Sequence, residues 1–175
     1  MRGELMVSRR LPRVPMGRRA GAFAIDIGAV SLLSFLLAGS LFAPVFLLIW
    51  LGLRVFWVSR NHGQSWGQWA LDIKVVSTRF GSLPTVADLM KREVVTGLGS
   101  LLTLIGVVSL SPTNGWILIL PIPLLVDCGA AFLDTENRQA LHDRLAGTVI
   151  TQSRRGYSLD LKVRKLFAEM KQRMK

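Results

Sequence analysis

An apolar run that ends near Gly39 opens with the stretch Arg19-Ala20-Gly21-Ala22-Phe23-Ala24-Ile25-Asp26. The stretch places a basic residue at one end of a bilayer-length segment and a carboxylate about two helical turns further in. An ionisable side chain inside such a run is costly in lipid and by default marks a functional or assembly site. The stretch therefore predicts a membrane-crossing helix whose buried charge has a functional or assembly role.

Three more stretches resemble the first in length and apolar character. Half of the 175 residues are hydrophobic, and each of the four stretches is 17 to 20 residues long, which suffices to cross the ~30 Å hydrocarbon core as a helix. The sequence therefore predicts an all-α membrane protein with four transmembrane helices, at about 20–39, 41–59, 94–110 and 116–133. Residues 18–152 form the transmembrane domain in this prediction, 1–17 a basic cytoplasmic tail and 153–175 a cytoplasmic amphipathic helix.

The basic residues behind the formal net charge of +11 follow this topology. All but Arg54 lie before the first stretch, between the second and third, or after the fourth, whereas the two short connections near 40–44 and 111–115 carry none. The positive-inside rule places such basic segments, and hence both termini, in the cytoplasm. The charge therefore predicts contact with the lipid bilayer and its anionic head groups. Nucleic acid is not predicted as a partner.

The polar intervals predict a small cytoplasmic cap of an interfacial helix and short strands. Two tryptophans in 63–69 suit a helix at the head-group level. Period-2 alternation in 71–77 predicts a strand, and 149–151 could pair with it. From Ser158 onward, Val163, Leu166, Phe167, Met170 and Met174 follow helical spacing among lysines and arginines, which predicts a basic amphipathic helix at a membrane surface or packed on its own domain.

Three charges fall inside the predicted spans at similar depth, in the cytoplasmic third of the bilayer. Asp26, Arg54 and Asp127 each lie roughly 7–10 Å from the cytoplasmic end of their span at ~1.5 Å per residue. They are the candidates for an ion, proton or small-ligand site in which the two carboxylates and the guanidinium meet. A structural ion pair and independent snorkelling, most of all of Arg54, remain open.

Three blocks of sequence resemble the RDD family of bacterial membrane proteins, named for one Arg and two Asp. The first is Arg19-x-x-Ala22-Phe23-x-Ile25-Asp26, the second runs from Gly63-Gln64-Ser65-x-Gly67 to Arg92, and the third is Arg138-x-x-Leu141-His142-Asp143-Arg144-Leu145-Ala146-Gly147-Thr148-Val149. Ser65 and Gln68 depart from the residues usual in the family. The matching motif residues are Arg19, Asp26, Gly63, Gln64, Gly67, Arg92, Arg138, His142, Asp143, Gly147 and Thr148.

The resemblance implies a bacterial inner-membrane protein, with transport of unknown ligands and cation/proton exchange suggested for the family. Arg19 and Asp26 correspond to the name-giving Arg and first Asp, and Asp143 to the second, with Asp127 as the alternative.

The sequence contains no pattern typical of an enzyme, a metal site or a cofactor. No phosphate-binding loop is present, the two histidines have no zinc or haem spacing, and Cys128 is the only cysteine. His142 and Asp143 could form a general base, or a hydrogen-bonded clasp with Arg138 or Arg144.

Two functional hypotheses follow. The first is a transporter or transport component for a small ligand or a cation/proton, acting as a homo-oligomer or with a partner membrane protein because four helices enclose little space. The alternative is a non-catalytic membrane scaffold or assembly factor that binds proteins or anionic lipid through its cap.

Overall fold

The computed structural model describes residues 12, 14–79, 81–134, 137–153, 158, 159, 161–163, 165 and 169. The chain is mostly helical, as the apolar stretches predict. The described elements are α1 (Met16–Ala38), α2 (Phe42–Leu51), a π-helical segment (Gly52–Trp57), α3 (Val58–Arg60), α4 (Trp66–Ala70), β1 (Ile73–Ser77), α5 (Val86–Val108), a 3-10 helix (Gly115–Ile119), α6 (Ile122–Leu133), α7 (Leu141–Leu145) and β2 (Thr148–Gln152).

The first two predicted stretches form a helical hairpin. A 3-10 turn at Gly39–Leu41 separates α1 from α2, and Gly39 has a positive φ of 48°, which costs a glycine little. Phe23, early in α1, contacts Trp50, late in α2, with ring centroids 5.8 Å apart. The two helices therefore run antiparallel, with Val30, Phe46 and Trp50 buried between them and their neighbours.

Two helical segments are long and apolar enough to cross a membrane by length and composition: Met16–Arg60, which contains the hairpin, and Gly115–Leu133. The third predicted stretch lies in α5, which has 23 residues but carries Asp88, Lys91, Arg92 and Glu93 in its first half. The count of four membrane crossings therefore stays a prediction. The Oγ1 of Thr85 accepts a hydrogen bond from the Asp88 backbone N–H and caps α5.

The fourth stretch is interrupted rather than uniformly helical. Its first part is the 3-10 helix, and α6 begins only at Ile122, directly after Pro121. Pro121 and Pro123 each lack a backbone N–H, so they fit the first turn of a helix better than its interior. The interruption at these prolines is therefore a change of helix type, from 3-10 to α.

Short elements form a layer at one end of the long helices, and α4, β1, α7 and β2 are together termed the cap. The two strands pair antiparallel, with Val75 opposite Ile150, as the alternation predicts. Ile73 and Val75 pack with Ala22 and Val55 of the helices in one buried cluster. The cap is thus joined to the helices by apolar burial as well as by the charges described below.

Most of the predicted terminal segments lies outside the described residues. This applies to residues 1–11 of the basic tail and, in the amphipathic helix, to Leu166, Phe167, Met170 and Met174. Residues 161–163 are helical and exposed.

Candidate functional site

Asp26 is fully buried and accepts three hydrogen bonds. Its Oδ2 lies 2.6 Å from Nη1 of Arg54 and 2.5 Å from the Oγ of Ser65, and its Oδ1 accepts the backbone N–H of Gly67 at 2.8 Å. The donors come from the π-helical segment and from the start of α4, so one carboxylate joins α1 to two other elements. The predicted pairing of Asp26 with Arg54 is present.

Arg54 bridges two carboxylates. Its Nε donates to Oε2 of Glu93 at 3.0 Å while Nη1 holds Asp26, and the guanidinium carbon lies 5.3 Å from the centre of the Trp50 ring. Glu93 also accepts a hydrogen bond from the Oγ1 of Thr96, one turn further along α5. Glu93 is not among the site residues predicted from the sequence. The one sequence feature that could have indicated it is its position next to Arg92, directly before the third apolar stretch.

Asp143 pairs with two arginines of the helices. Its Oδ2 lies 2.5 Å from Nη2 of Arg19, and its Oδ1 lies 3.4 Å from Nη1 of Arg92. Arg19 also donates to the backbone carbonyl of Arg138. The geometry therefore joins Arg19, the name-giving arginine of the resemblance, to Asp143 on α7.

The surroundings of Asp143 favour its charged form. Burial by itself would raise the pKa of this carboxyl, but Arg92, His142 and Arg19 outweigh it and lower the pKa to about 2. A hydrogen bond from the backbone N–H of Ala140, at 3.3 Å, acts in the same direction.

Six residues thus form a continuous ion cluster. Its members alternate in charge along the chain of contacts Asp26, Arg54, Glu93, Arg92, Asp143 and Arg19. Three carboxylates balance three guanidinium groups, so the ion cluster carries no net formal charge. Burying each charge alone would cost several kcal/mol, and mutual pairing offsets that cost.

Asp127 does not join Arg54 and Asp26, which corrects the expectation that these three charges meet. Its Oδ1 accepts the backbone N–H of His142 at 2.8 Å, and its Oδ2 lies 2.5 Å from Nδ1 of the same residue. The start of α7 packs against α6, and this packing brings His142 into contact with Asp127. Asp26 and Asp127, for which the sequence predicts a similar depth in the membrane, therefore have different partners.

The clasp predicted for His142 and Asp143 also has different members. Arg138 takes part only through its backbone carbonyl, which accepts a hydrogen bond from Arg19. The guanidinium group of Arg144 lies 3.4 Å from the carboxylate of Asp134 rather than beside Asp143. Nε2 of His142 lies 3.5 Å from Oδ1 of Asp143, which connects the His142–Asp127 pair to the edge of the ion cluster.

The remaining motif residues position the cap. The Nε2 of Gln64 donates to the carbonyl of Ile73, and Thr148 Oγ1 lies 3.4 Å from Oδ1 of Asp143. A Cβ at Gly67 would lie 2.0 Å from the carbonyl oxygen of Ala22, so only glycine allows this approach of α4 to α1. Gly63 and Gly147 have positive φ values of 80° and 59° in the turns of the cap.

Ser65 and Gln68, the departures from the family pattern, have clear structural roles. The Oγ of Ser65 accepts the backbone N–H of Gln68, and Oε1 of Gln68 accepts the backbone N–H of Ser65, which is a capping box at the start of α4. The same Ser65 hydroxyl donates to Asp26.

A cavity of about 290 Å³ lies beside the ion cluster, between α1 and α6. Its polar lining includes Arg19, Arg54, Arg92 and His142. Its apolar lining includes Phe23, Leu124 and Phe132, and Cys128 contributes from α6. Among the described residues, no aspartate or glutamate lines the cavity.

Within the part of the chain that the structure describes, no group of three or more His, Cys, Asp or Glu side chains is placed to hold a metal ion.

Comparison with protein families identifies the family of the chain. The family model described as RDD family matches residues 13–147, a range that contains every member of the ion cluster as well as Asp127 and His142. No curated protein and no solved structure matches the chain.

Proposed function

The chain belongs to the RDD family, a family of membrane proteins, and from that premise we propose that it takes part in transport of a small ligand whose site is the cavity between α1 and α6. The single observation that carries the proposal is this cavity, with buried charged side chains on one side and apolar helices on the other. Ionisable groups inside membrane helices commonly mark substrate or ion pathways.

In this proposal the chain crosses the bacterial inner membrane four times, with both termini and the cap in the cytoplasm. Four crossings are supported by apolar side chains exposed along the outer faces of the helices, such as Phe35, Val108 and Leu133. α5 carries no charged residue after Glu93. Trp66 and Trp69 are exposed on the cap side, where tryptophan prefers the head-group level.

Two sets of buried charges have different proposed roles. Asp26, Arg54 and Glu93 hold the order of the helices, since the hydrogen bonds of Asp26 already come from Arg54, Ser65 and Gly67. The Asp127–His142 pair is the proposed ion or proton site, because Asp127 is a buried carboxylate that is not a member of the ion cluster and its partner His142 lines the cavity.

The proposed partners are the bilayer, its anionic head groups and further membrane subunits. Four helices enclose little interior, so a complete pathway requires a homo-oligomer or a partner membrane protein. No catalytic, cofactor or nucleic-acid-binding role forms part of this proposal.

Cys128 provides a test that needs no knowledge of the ligand. It is the only cysteine of the chain, it is half-buried, and it lines the cavity. In sealed vesicles of either orientation, a membrane-impermeant maleimide should label Cys128 from the cytoplasmic face and, more slowly, from the outer face. Labelling from both faces is expected because a transport site is exposed to each side in turn.

Three variants calibrate this labelling. The variant Cys128→Ser should show no labelling. In that background, Thr113→Cys marks the outer face and Ser82→Cys marks the cytoplasmic face, since both positions are exposed. Labelling of Cys128 from one face only, with both markers behaving as expected, would contradict transport.

One observation favours the second candidate, a scaffold or assembly factor. Buried ion pairs hold the cap to the helices. Three tryptophans are exposed in this region, Trp66 and Trp69 on the cap itself and Trp57 at the end of the neighbouring π-helical segment. One-sided labelling of Cys128 is the result that this candidate predicts.

A further inference from the structure

We propose that the cavity binds the anionic head group of an amphiphile, namely a carboxylate or phosphate monoester joined to an apolar chain. The inference rests on the proposed function only in taking the same cavity as the ligand site, and it names the chemical class of the ligand.

The charge of the cavity lining points to an anion. Three arginines and His142 line it, and none of the carboxylates of the ion cluster is among the described lining residues. The ion cluster as a whole is neutral, but it presents its guanidinium groups to the cavity. A cation entering here would meet like charges.

Arg92 supplies the unused donors. Its side chain is 1% exposed, and Nε and Nη1 have no hydrogen-bond partner among the residues that the structure describes. Nε lies 3.1 Å from Oε1 of Glu93 and Nη1 lies 3.4 Å from Oδ1 of Asp143, so charges are close but hydrogen bonds are not formed. Buried donors nearly always find acceptors, and a guanidinium fits carboxylate and phosphate oxygens.

The walls of the cavity suit an apolar chain. Phe23 and Leu124 lie inside, and Leu125 and Phe132, 67% and 72% exposed, continue the wall onto the outer apolar surface. At about 290 Å³ the cavity is at the lower end of the usual size of ligand pockets, about 300–1,000 Å³. It therefore has room for a head group and the first carbons of a chain, but not for a whole long-chain amphiphile. The rest of the chain would leave between α1 and α6 toward the lipid.

The test uses the full chain in detergent micelles and palmitate that carries a diazirine on its acyl chain. After irradiation, peptide mapping should place the adducts in residues 16–23 and 124–132. Unlabelled palmitate or hexadecyl phosphate at about a tenfold excess over the probe should lower the adduct yield by roughly tenfold, because the competitor occupies the same site with similar affinity. Hexadecanol at the same concentration should have little effect, because it lacks the charge.

Arg92→Gln should lower the adduct yield, because it removes the guanidinium group with the unused donors from the cavity lining. Two matched substitutions on α1 keep the test valid if that variant fails to fold. Ala20→Phe fills the cavity without removing any charge, since Ala20 lines it and is exposed. Ala24→Phe adds the same side chain at an exposed position that is not part of the lining. Ala20→Phe should lower the adduct yield by roughly tenfold, as for the competitors, whereas Ala24→Phe should leave it unchanged.

Three results would overturn the inference. Equal competition by hexadecanol would mean that the walls alone bind, and adducts confined to other segments would place the ligand elsewhere. Competition by inorganic phosphate at the concentration of hexadecyl phosphate would identify a soluble anion instead of an amphiphile. Adducts at the cavity together with one-sided labelling of Cys128 would support the ligand class and contradict transport, so the two proposals fail separately.

Discussion

At the scale of single residues, hydrogen bonding explains why charges persist inside apolar helices. Each carboxylate of the ion cluster contacts a guanidinium group, and Asp26 has two further donors in Ser65 and Gly67. Removing one member of a buried pair leaves the other charge without compensation, which costs more than the pair itself contributes. Individual members are therefore difficult to replace.

Replacing Asp26 by Asn should lower the free energy of unfolding by about 3–5 kcal/mol, because Arg54 keeps its charge and loses one of its two carboxylates. The change can be measured by titrating the protein in mixed micelles with a denaturing detergent. Asp88→Asn is the control, because Asp88 is partly exposed at the start of α5, outside the ion cluster, where its carboxylate accepts a hydrogen bond from the Oγ1 of Thr85. The control should lower the free energy of unfolding by far less than Asp26→Asn does, because a charge at a helix N-terminus usually has only a small effect.

The double variant Asp26→Asn with Arg54→Gln should lose less stability than the sum of the single variants, because it removes both charges of the pair. Strict additivity, or an Asp26→Asn protein as stable as the parent, would contradict the role of this pair.

The stability contributed by Asp143 should depend on pH. Its pKa falls from the ordinary 3.8 to about 2 in the folded chain, so the folded state favours the ionised form. This contribution is present above about pH 4 and is lost as the pH falls toward 2. Asp143→Asn should therefore be less stable than the parent at pH 7, by about 2 kcal/mol at ~1.4 kcal/mol per pKa unit.

Unfolding of the parent and of Asp143→Asn at several pH values between 7 and 2 measures this difference directly. The gap between the two proteins should close near pH 2. A gap of constant size over the whole range would show that the charge of Asp143 is not what stabilises the fold.

At the scale of elements, local departures from regular helix lie where the site requires them. Arg54 lies in the π-helical segment Gly52–Trp57, and such segments are frequent at functional sites. α4 is only five residues long, and its first turn supplies the donors that reach Asp26. These irregular pieces bring backbone and side-chain donors to a carboxylate on a different helix.

Gly67→Ala should destabilise the chain by about 1–3 kcal/mol, as overpacking in a tight contact does. The added Cβ would lie 2.0 Å from the carbonyl oxygen of Ala22, so α4 must move away from α1 and weaken the Gly67–Asp26 hydrogen bond. Thermal unfolding in micelles measures the effect.

Gly28→Ala is the matched control on α1, because nothing lies within 4 Å of its added Cβ. Alanine at this helical position should be neutral or slightly stabilising. Equal effects of the two substitutions would mean that the close approach of α4 and α1 does not matter.

At the scale of the whole molecule, charge is sorted into two regions. The ion cluster has no net formal charge, so the formal +11 of the chain arises from residues outside it. The unbalanced positive charge is thus available at surfaces, where anionic lipid can neutralise it. The ion cluster itself connects α1, the π-helical segment, α5 and α7, so the cap and the helices form one structure.

Much of this architecture could be predicted from the sequence because its signals are local. Hydropathy indicated the positions of the long helices, and alternation indicated β1. Asp26 and Arg54 were identified as buried charges because each interrupts an apolar run. The motif residues of the resemblance indicated Arg19 and Asp143.

Which charges meet was decided only by the tertiary structure. Asp127 shares the sequence environment of Asp26, yet it binds His142, and Glu93 takes the place beside Arg54 that the sequence suggested for Asp127. The contacts of Arg54 and Arg19 with carboxylates span 28 to 124 residues of sequence. Hydropathy and spacing report only on neighbours within a few turns, whereas the pairing of buried charges depends on how helices from distant parts of the chain pack against one another.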